Sequence, residues 1–134
     1  MKIVIIDGQG GRIGSLLIEK LKLSGINAEL IAIGTNSIAT ASMLRSGADA
    51  GATGENPVIV NCRDADYIIG PLGIIAADSL MGEVTPAMAS AVASSSGKKI
   101  LLPVNKCNLH VIGSKELPLP ALISEAVSYL QSLI

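Results

Sequence analysis

The sequence contains no tryptophan and no phenylalanine, and its only aromatic residues are Tyr67 and Tyr129. Single-stranded nucleic acid is held by aromatic stacking platforms in basic grooves, and a net charge of −1 supplies no basic groove either. No nucleic-acid partner is expected. Charge of both signs is scarce, at 16% of residues against about 25% in an average domain. With 49% hydrophobic residues, so small a chain is expected to hide part of its surface in a homo-oligomer, a dimer or tetramer. Charge is scarcest between Pro71 and Ser96, where a partner subunit is expected.

Two cysteines, Cys62 and Cys107, cannot make a disulfide framework, and they lack metal-ligand spacing. With His110 as the sole histidine, no metal site is expected. Both thiols are read as buried structural groups, and His110, in an apolar run without a Ser or Asp partner, is given no catalytic role. Long hydrophobic runs are missing as well. The most apolar stretch, Tyr67 to Met81, is broken by Gly70, Pro71, Gly73 and Asp78 and is shorter than a membrane span. The N-terminal run Ile3 to Ile6 is too short for a secretory signal, so a cytoplasmic protein with no membrane contact is expected. At 134 residues there is room for one domain and none for a separate substrate domain.

What remains is short apolar runs alternating with segments of helical period, the pattern of a parallel sheet covered on both faces. Strands are expected at Ile3 to Ile6, Glu29 to Ile33, Val58 to Val60, Tyr67 to Ile69, Ile100 to Val104 and Leu109 to Ile112. Helices are expected from Leu16 to Leu23, Ser37 to Ser46, Ile74 to Met81 and Pro86 to Ser95, with Thr85 as an N-cap, and in the terminal stripe from Leu119 to Leu133. Gly25 and Gly47 stand where C-cap glycines belong. Residues Ala48 to Pro57 read as an ordered loop. The expected fold is α/β and three-layered, Rossmann-like, with a five- or six-stranded, mostly parallel sheet between helices, the whole of 1–134 forming one nucleotide-binding domain.

The most specific signal is Asp7-Gly8-Gln9-Gly10-Gly11-Arg12-Ile13-Gly14, a buried strand turning through glycines into a helix. Gly8 permits the turn, Gly10 and Gly11 let a phosphate approach bare backbone, and Gly14 lets the helix lie close. Free N–H groups at the helix start favour an anion. An Asp or Glu that would grip ribose hydroxyls is missing after the second strand, where Gly34-Thr35-Asn36-Ser37 stands instead. Thr35, Asn36 and Ser37 with Arg12 suit a 2′-phosphate, so NADP is the expected cofactor, with another nucleotide as the alternative. Capping of the next helix by Asn36 or Ser37 is compatible with this.

Residues Met1 to about Leu23 resemble the start of dihydrodipicolinate reductases, whose turn is similar to Gly8 to Gly14. That resemblance implies a dinucleotide near Arg12 and the turn backbone. Over its whole length the chain resembles a family of small bacterial proteins of unknown function. The resemblance is carried by Asp7 to Gly11, by Gly34 to Thr40, by Gly51 to Asn56, and by Pro103-Val104-Asn105-Lys106-Cys107.

Ligands of open parallel sheets bind beyond the carboxyl ends of the strands. Gly70, Pro71 and Gly73 are therefore expected along a cofactor, and Asn105 with Lys106 against a substrate or anion. Asp78, Glu83 and Thr85 are candidate polar groups for a site or interface, with helix capping and solvation as the competing roles. Three functions fit: a nucleotide-binding protein, a small NADP-dependent reductase whose site is shared between subunits, or an interaction module without ligand.

Overall fold

The computed structural model describes residues 1–104 and 108–134. The strands are β1 (Lys2–Asp7), β2 (Glu29–Gly34), β3 (Ala50–Thr53), β4 (Tyr67–Pro71) and β5 (Lys98–Leu102). The helices are α1 (Arg12–Leu23), α2 (Ser37–Arg45), α3 (Glu55–Cys62), α4 (Pro86–Ser94) and α5 (Leu119–Ser132). A short 3-10 turn spans Leu72–Ile75. The strands form one parallel sheet in the order β3-β2-β1-β4-β5.

Strand side chains alternate between faces, and here both faces are covered, which is why the runs read as continuously apolar. Ile3 and Ile5 of β1, with Leu30 and Ala32 of β2 and Ile69 of β4, pack against α1, α2 and α5 through Leu17, Ile18, Met43, Ile123 and Leu130. Val4, Ile6, Ile31, Ile33 and Ile68 face the other way onto Val58, Met88 and Val92 of α3 and α4. The chain therefore folds as the expected three-layer, Rossmann-like α/β structure. Gly25 and Gly47 follow α1 and α2 with positive φ of 74° and 110°, as C-cap glycines do. Thr85 caps α4 by accepting the Met88 N–H at 3.2 Å, with Pro86 in the first turn.

The structure corrects several of these expectations. Val58 to Val60 belongs to a helix, α3, in which Val58 and Cys62, four residues apart, are buried and Val60 is exposed. Packing of that one stripe overrides the β preference of the branched residues. The strand that pairs with β2 is β3, Ala50-Gly51-Ala52-Thr53, within the segment expected to be loop. Leu109 to Ile112 forms no strand; after Pro103 the chain leaves the sheet, and Leu109, Val111 and Ile112 are exposed. His110 is exposed on this segment rather than set in a strand.

Ile74 to Met81 is not a helix beyond the 3-10 turn. The Ser79 hydroxyl donates to the Gly73 carbonyl, and Asp78, Leu80 and Met81 take left-handed φ of 64°, 54° and 57°, ending helical progress. The apolar residues of the charge-poor segment are largely spent inside: Leu80, Val84, Met88 and Val92 all belong to the core facing α3 and α4.

Gly70 lies in β4 where a Cβ would strike the Ile6 carbonyl oxygen of β1. Neither backbone can yield without parting the central strands. Gly70→Ala should lower unfolding free energy by about 1–3 kcal/mol or more, read as a lower urea midpoint at unchanged slope.

Candidate functional site

The turn between β1 and α1 sits at the carboxyl end of the sheet, beside the ends of β2 and β4. Asp7, only 3% exposed, ends β1 with its carboxylate folded beneath the turn. Its Oδ1 accepts the Gly8 N–H at 2.8 Å and its Oδ2 accepts the Gly14 N–H at 2.7 Å. The α1 N-cap, Gly11, has no side chain to offer, so Asp7 caps the helix from seven residues upstream of Gly14. Burial pushes the Asp7 carboxyl above its ordinary pKa, and the nearby Glu83 charge adds to that. The amides of Gly14, Gly8 and Ile13 pull in the opposite direction.

Above the turn lies a second carboxylate, supplied by the segment that precedes α4. Glu83 Oε1 accepts from the Gln9 N–H at 2.9 Å, the Thr35 hydroxyl at 2.7 Å and the Asn36 amide at 2.7 Å. Asn36 is thereby fully committed. Its amide also donates to the Gln9 carbonyl at 2.9 Å, and its Oδ1 caps α2 by accepting the Ala39 N–H at 2.9 Å. Burial pushes the Glu83 carboxyl up, but the bonds from Gln9, Thr35 and Asn36 outweigh it and hold the group below its ordinary value.

The glycines serve several ends. Gly8 is closed in, since a Cβ there would lie 2.6 Å from Thr35 Oγ1, 2.9 Å from Leu80 and 3.1 Å from Glu83 Oε1. Gly11, at φ 74°, has its bare face against the Ala39 backbone of α2. Gly14 makes room for Met43 and the Asp7 Cβ. Gly10 differs: a Cβ there would meet nothing within 4 Å, and Gln9, Gly10 and Arg12 are exposed. Ile13 is buried in the α1 core stripe. Ser37 is exposed in the first turn of α2.

Gly70, Pro71 and Gly73 are buried in and just after β4, where Gly70 makes room for the Ile6 carbonyl. Asn105, Lys106 and Cys107 lie outside the described residues. Cys62 ends α3, 1% exposed, with burial pushing its thiol up to about 11, which leaves it protonated and unreactive near neutrality. A groove of about 380 Å³ between β5 and α5, lined by residues such as Leu101, Pro103, Leu117 and Tyr129, contains none of the turn residues. Among the described residues no group of three His, Cys, Asp or Glu side chains could hold a metal ion, and no helix is long and apolar enough to cross a membrane.

The roles of two carboxylates were not recognised from sequence: Asp7 stood in the turn motif with no partner assigned, and Glu83 was a candidate polar group with no place at the turn. The signal for Asp7 was an acid ending an otherwise apolar strand directly before the first glycine. For Glu83 it was the missing acid after Gly34, which leaves Thr35 and Asn36 as donors in need of an acceptor.

Order, parallel pairing and the glycine turn after the first strand define a Rossmann-like α/β protein. The chain belongs to the family described as Domain of unknown function (DUF3842), which matches residues 2–134. None of the curated proteins matches it. Among solved structures it is similar to the dodecameric FMN-dependent UbiX-like decarboxylase from Escherichia coli O157:H7, at 20% identity and a TM-score of 0.50. The similarity covers 99% of this chain and 76% of the other, and shows a shared fold.

Because Glu83 ionises more readily when folded, its contribution to stability is complete above its ordinary pKa of 4.5 and is lost as pH falls through the lowered folded value. Glu83→Gln should therefore flatten the acid limb of the stability curve below about pH 4.5, as followed by urea unfolding at successive pH values. An unchanged acid limb would show that the carboxylate is not held as described.

Proposed function

We propose that this chain binds a nucleotide at the Gly8–Gly14 turn. The observation that carries the reading is the open backbone at Gly10, preceded by exposed Gln9 and two residues before exposed Arg12, at the carboxyl end of β1. Strand order reverses across the β1–β4 pair, the position where open parallel sheets take their ligands. A phosphate fits the Gly10 side of the turn, where no side chain intrudes and the Arg12 guanidinium is near in sequence. Deeper sites on the turn suit it less, since Asp7 holds the Gly8 and Gly14 amides and Glu83 holds that of Gln9.

The reading is supported by the FMN dependence of a protein that shares this fold. FMN therefore joins NAD and AMP among the ligands to be tried. The expected preference for NADP loses its support, because Thr35 and Asn36 spend their donors on a carboxylate, which repels a 2′-phosphate. With it the reductase reading loses its cofactor argument. A homo-oligomer stays in the proposal, supported by exposed Leu23, Ile38, Met81 and Ile112 and by the dodecameric state named for the neighbour.

The test is thermal stabilisation by FMN, NAD, NADP and AMP. A ligand at about 100 times its Kd adds about 2.7 kcal/mol, which raises the melting temperature by several degrees. Gly10→Leu should abolish the shift while leaving the unliganded melting temperature unchanged, since Gly10 lies outside the left-handed region and has free space around it. A shift that survives this substitution would move the site elsewhere, and no shift with any of the four would refute nucleotide binding.

A further inference from the structure

Glu83 is held as a fixed group rather than a loose surface acid. The segment that presents it is anchored in the core by Leu80 and Val84, 5% and 1% exposed, on either side of the carboxylate. It is closed on itself by hydrogen bonds from the Asp78 N–H to the Val84 carbonyl at 2.7 Å and from the Val84 N–H to the Ser79 carbonyl at 3.2 Å. Three of its non-glycine residues, Asp78, Leu80 and Met81, stand in the left-handed region, an arrangement that persists only where surrounding packing enforces it. The backbone that carries Glu83 cannot move away from the turn without disturbing Leu80 and Val84, and three hydrogen bonds hold the carboxylate itself.

The three donors from Gln9, Thr35 and Asn36 all converge on Oε1, so Oε2 takes none of them. Glu83 is half-buried, which leaves the carboxylate within reach of a ligand lying on the turn. A carboxylate so fixed accepts hydrogen bonds and donates none. It suits a group that presents hydroxyls and opposes one that presents negative charge.

We propose that Glu83 is the specificity-determining residue of the turn, accepting the free hydroxyls of a nucleotide ribose through Oε2 and excluding nucleotides whose ribose carries a 2′-phosphate. The inference rests on the nucleotide-binding reading and assigns to a residue 49 positions beyond the end of β2 the acid that the sequence lacks after Gly34. The positions of Thr35 and Asn36 then have a reason: they orient the acid instead of meeting the ligand. Glu83 and its donors Thr35 and Asn36 meet at the same end of the sheet, although they follow β4 and β2, on opposite sides of β1.

NAD and NADP differ by the one phosphate in question, so their dissociation constants, measured by titration calorimetry on the full chain, decide the matter. The wild-type protein should bind NAD at least tenfold more tightly than NADP, because a like charge placed against a fixed carboxylate is strongly disfavoured. Glu83→Gln, checked for an intact fold by circular dichroism, should bring the two constants within about threefold of each other by removing that repulsion. Wild-type protein that binds NADP as tightly as NAD would overturn the proposal without need of any variant, and so would a ratio unchanged in Glu83→Gln. Binding of FMN with neither dinucleotide would also overturn it, while leaving nucleotide binding in place. Failure of FMN, AMP and both dinucleotides to bind would remove the nucleotide reading itself, and the role of Glu83 with it.

Discussion

A single buried carboxylate organises the carboxyl end of this sheet. Asp7 finishes the central strand and holds the N–H groups of Gly8 and Gly14, so one side chain fixes both the exit of β1 and the entry of α1. Its removal would leave two buried donors without partners, at about 1–3 kcal/mol each. The arrangement imposes its own demands on neighbours. Gly14 must lack a side chain because the Asp7 Cβ and Met43 fill that space, and Gly11 must lack one because the α2 backbone lies against it. Helices α1 and α2 approach as closely as they do because of these two glycines.

The same interaction decides which backbone amides of the turn are already taken. In a turn of this type the helix start ordinarily offers its amides to a phosphate. Here a carboxylate of the chain itself takes the inner amides and a second one, Glu83, takes that of Gln9, which moves the available backbone outward to Gly10. The two acids also act on each other, since the Glu83 charge contributes to keeping the Asp7 carboxyl above its ordinary pKa. The turn thus gathers two carboxylates, Asp7 and Glu83, beside one exposed cation, Arg12.

Legibility in the sequence followed burial. The strands β1, β2 and β4 were readable because both of their faces meet helices, which turns them into unbroken apolar runs. Strand β3 was not, because an edge strand of Ala, Gly, Ala and Thr, mostly exposed, carries no hydrophobic signal at all. Helix α3 was misread for the opposite reason: Val58, Ile59 and Val60 carry a strong β signal that tertiary packing overrules. The glycine turn was legible as a motif, yet the work of its individual glycines was not. Gly8 and Gly11 are closed by Thr35, Leu80 and Ala39, partners that only the folded chain brings near. Glu83 was the least legible, being 74 residues from the Gln9 amide it holds and presented by backbone conformations that its residue types do not advertise.

The proposed binding of a nucleotide on the outer face of this turn can be followed through the backbone amide resonances of the isotopically labelled chain during titration with FMN or NAD. Saturable shifts are expected at Gly10, Gly11 and Arg12, with those of Gly8 and Gly14 changing little because Asp7 retains their amides. Shifts confined to the groove between β5 and α5, around Leu101, Leu117 and Tyr129, would contradict it.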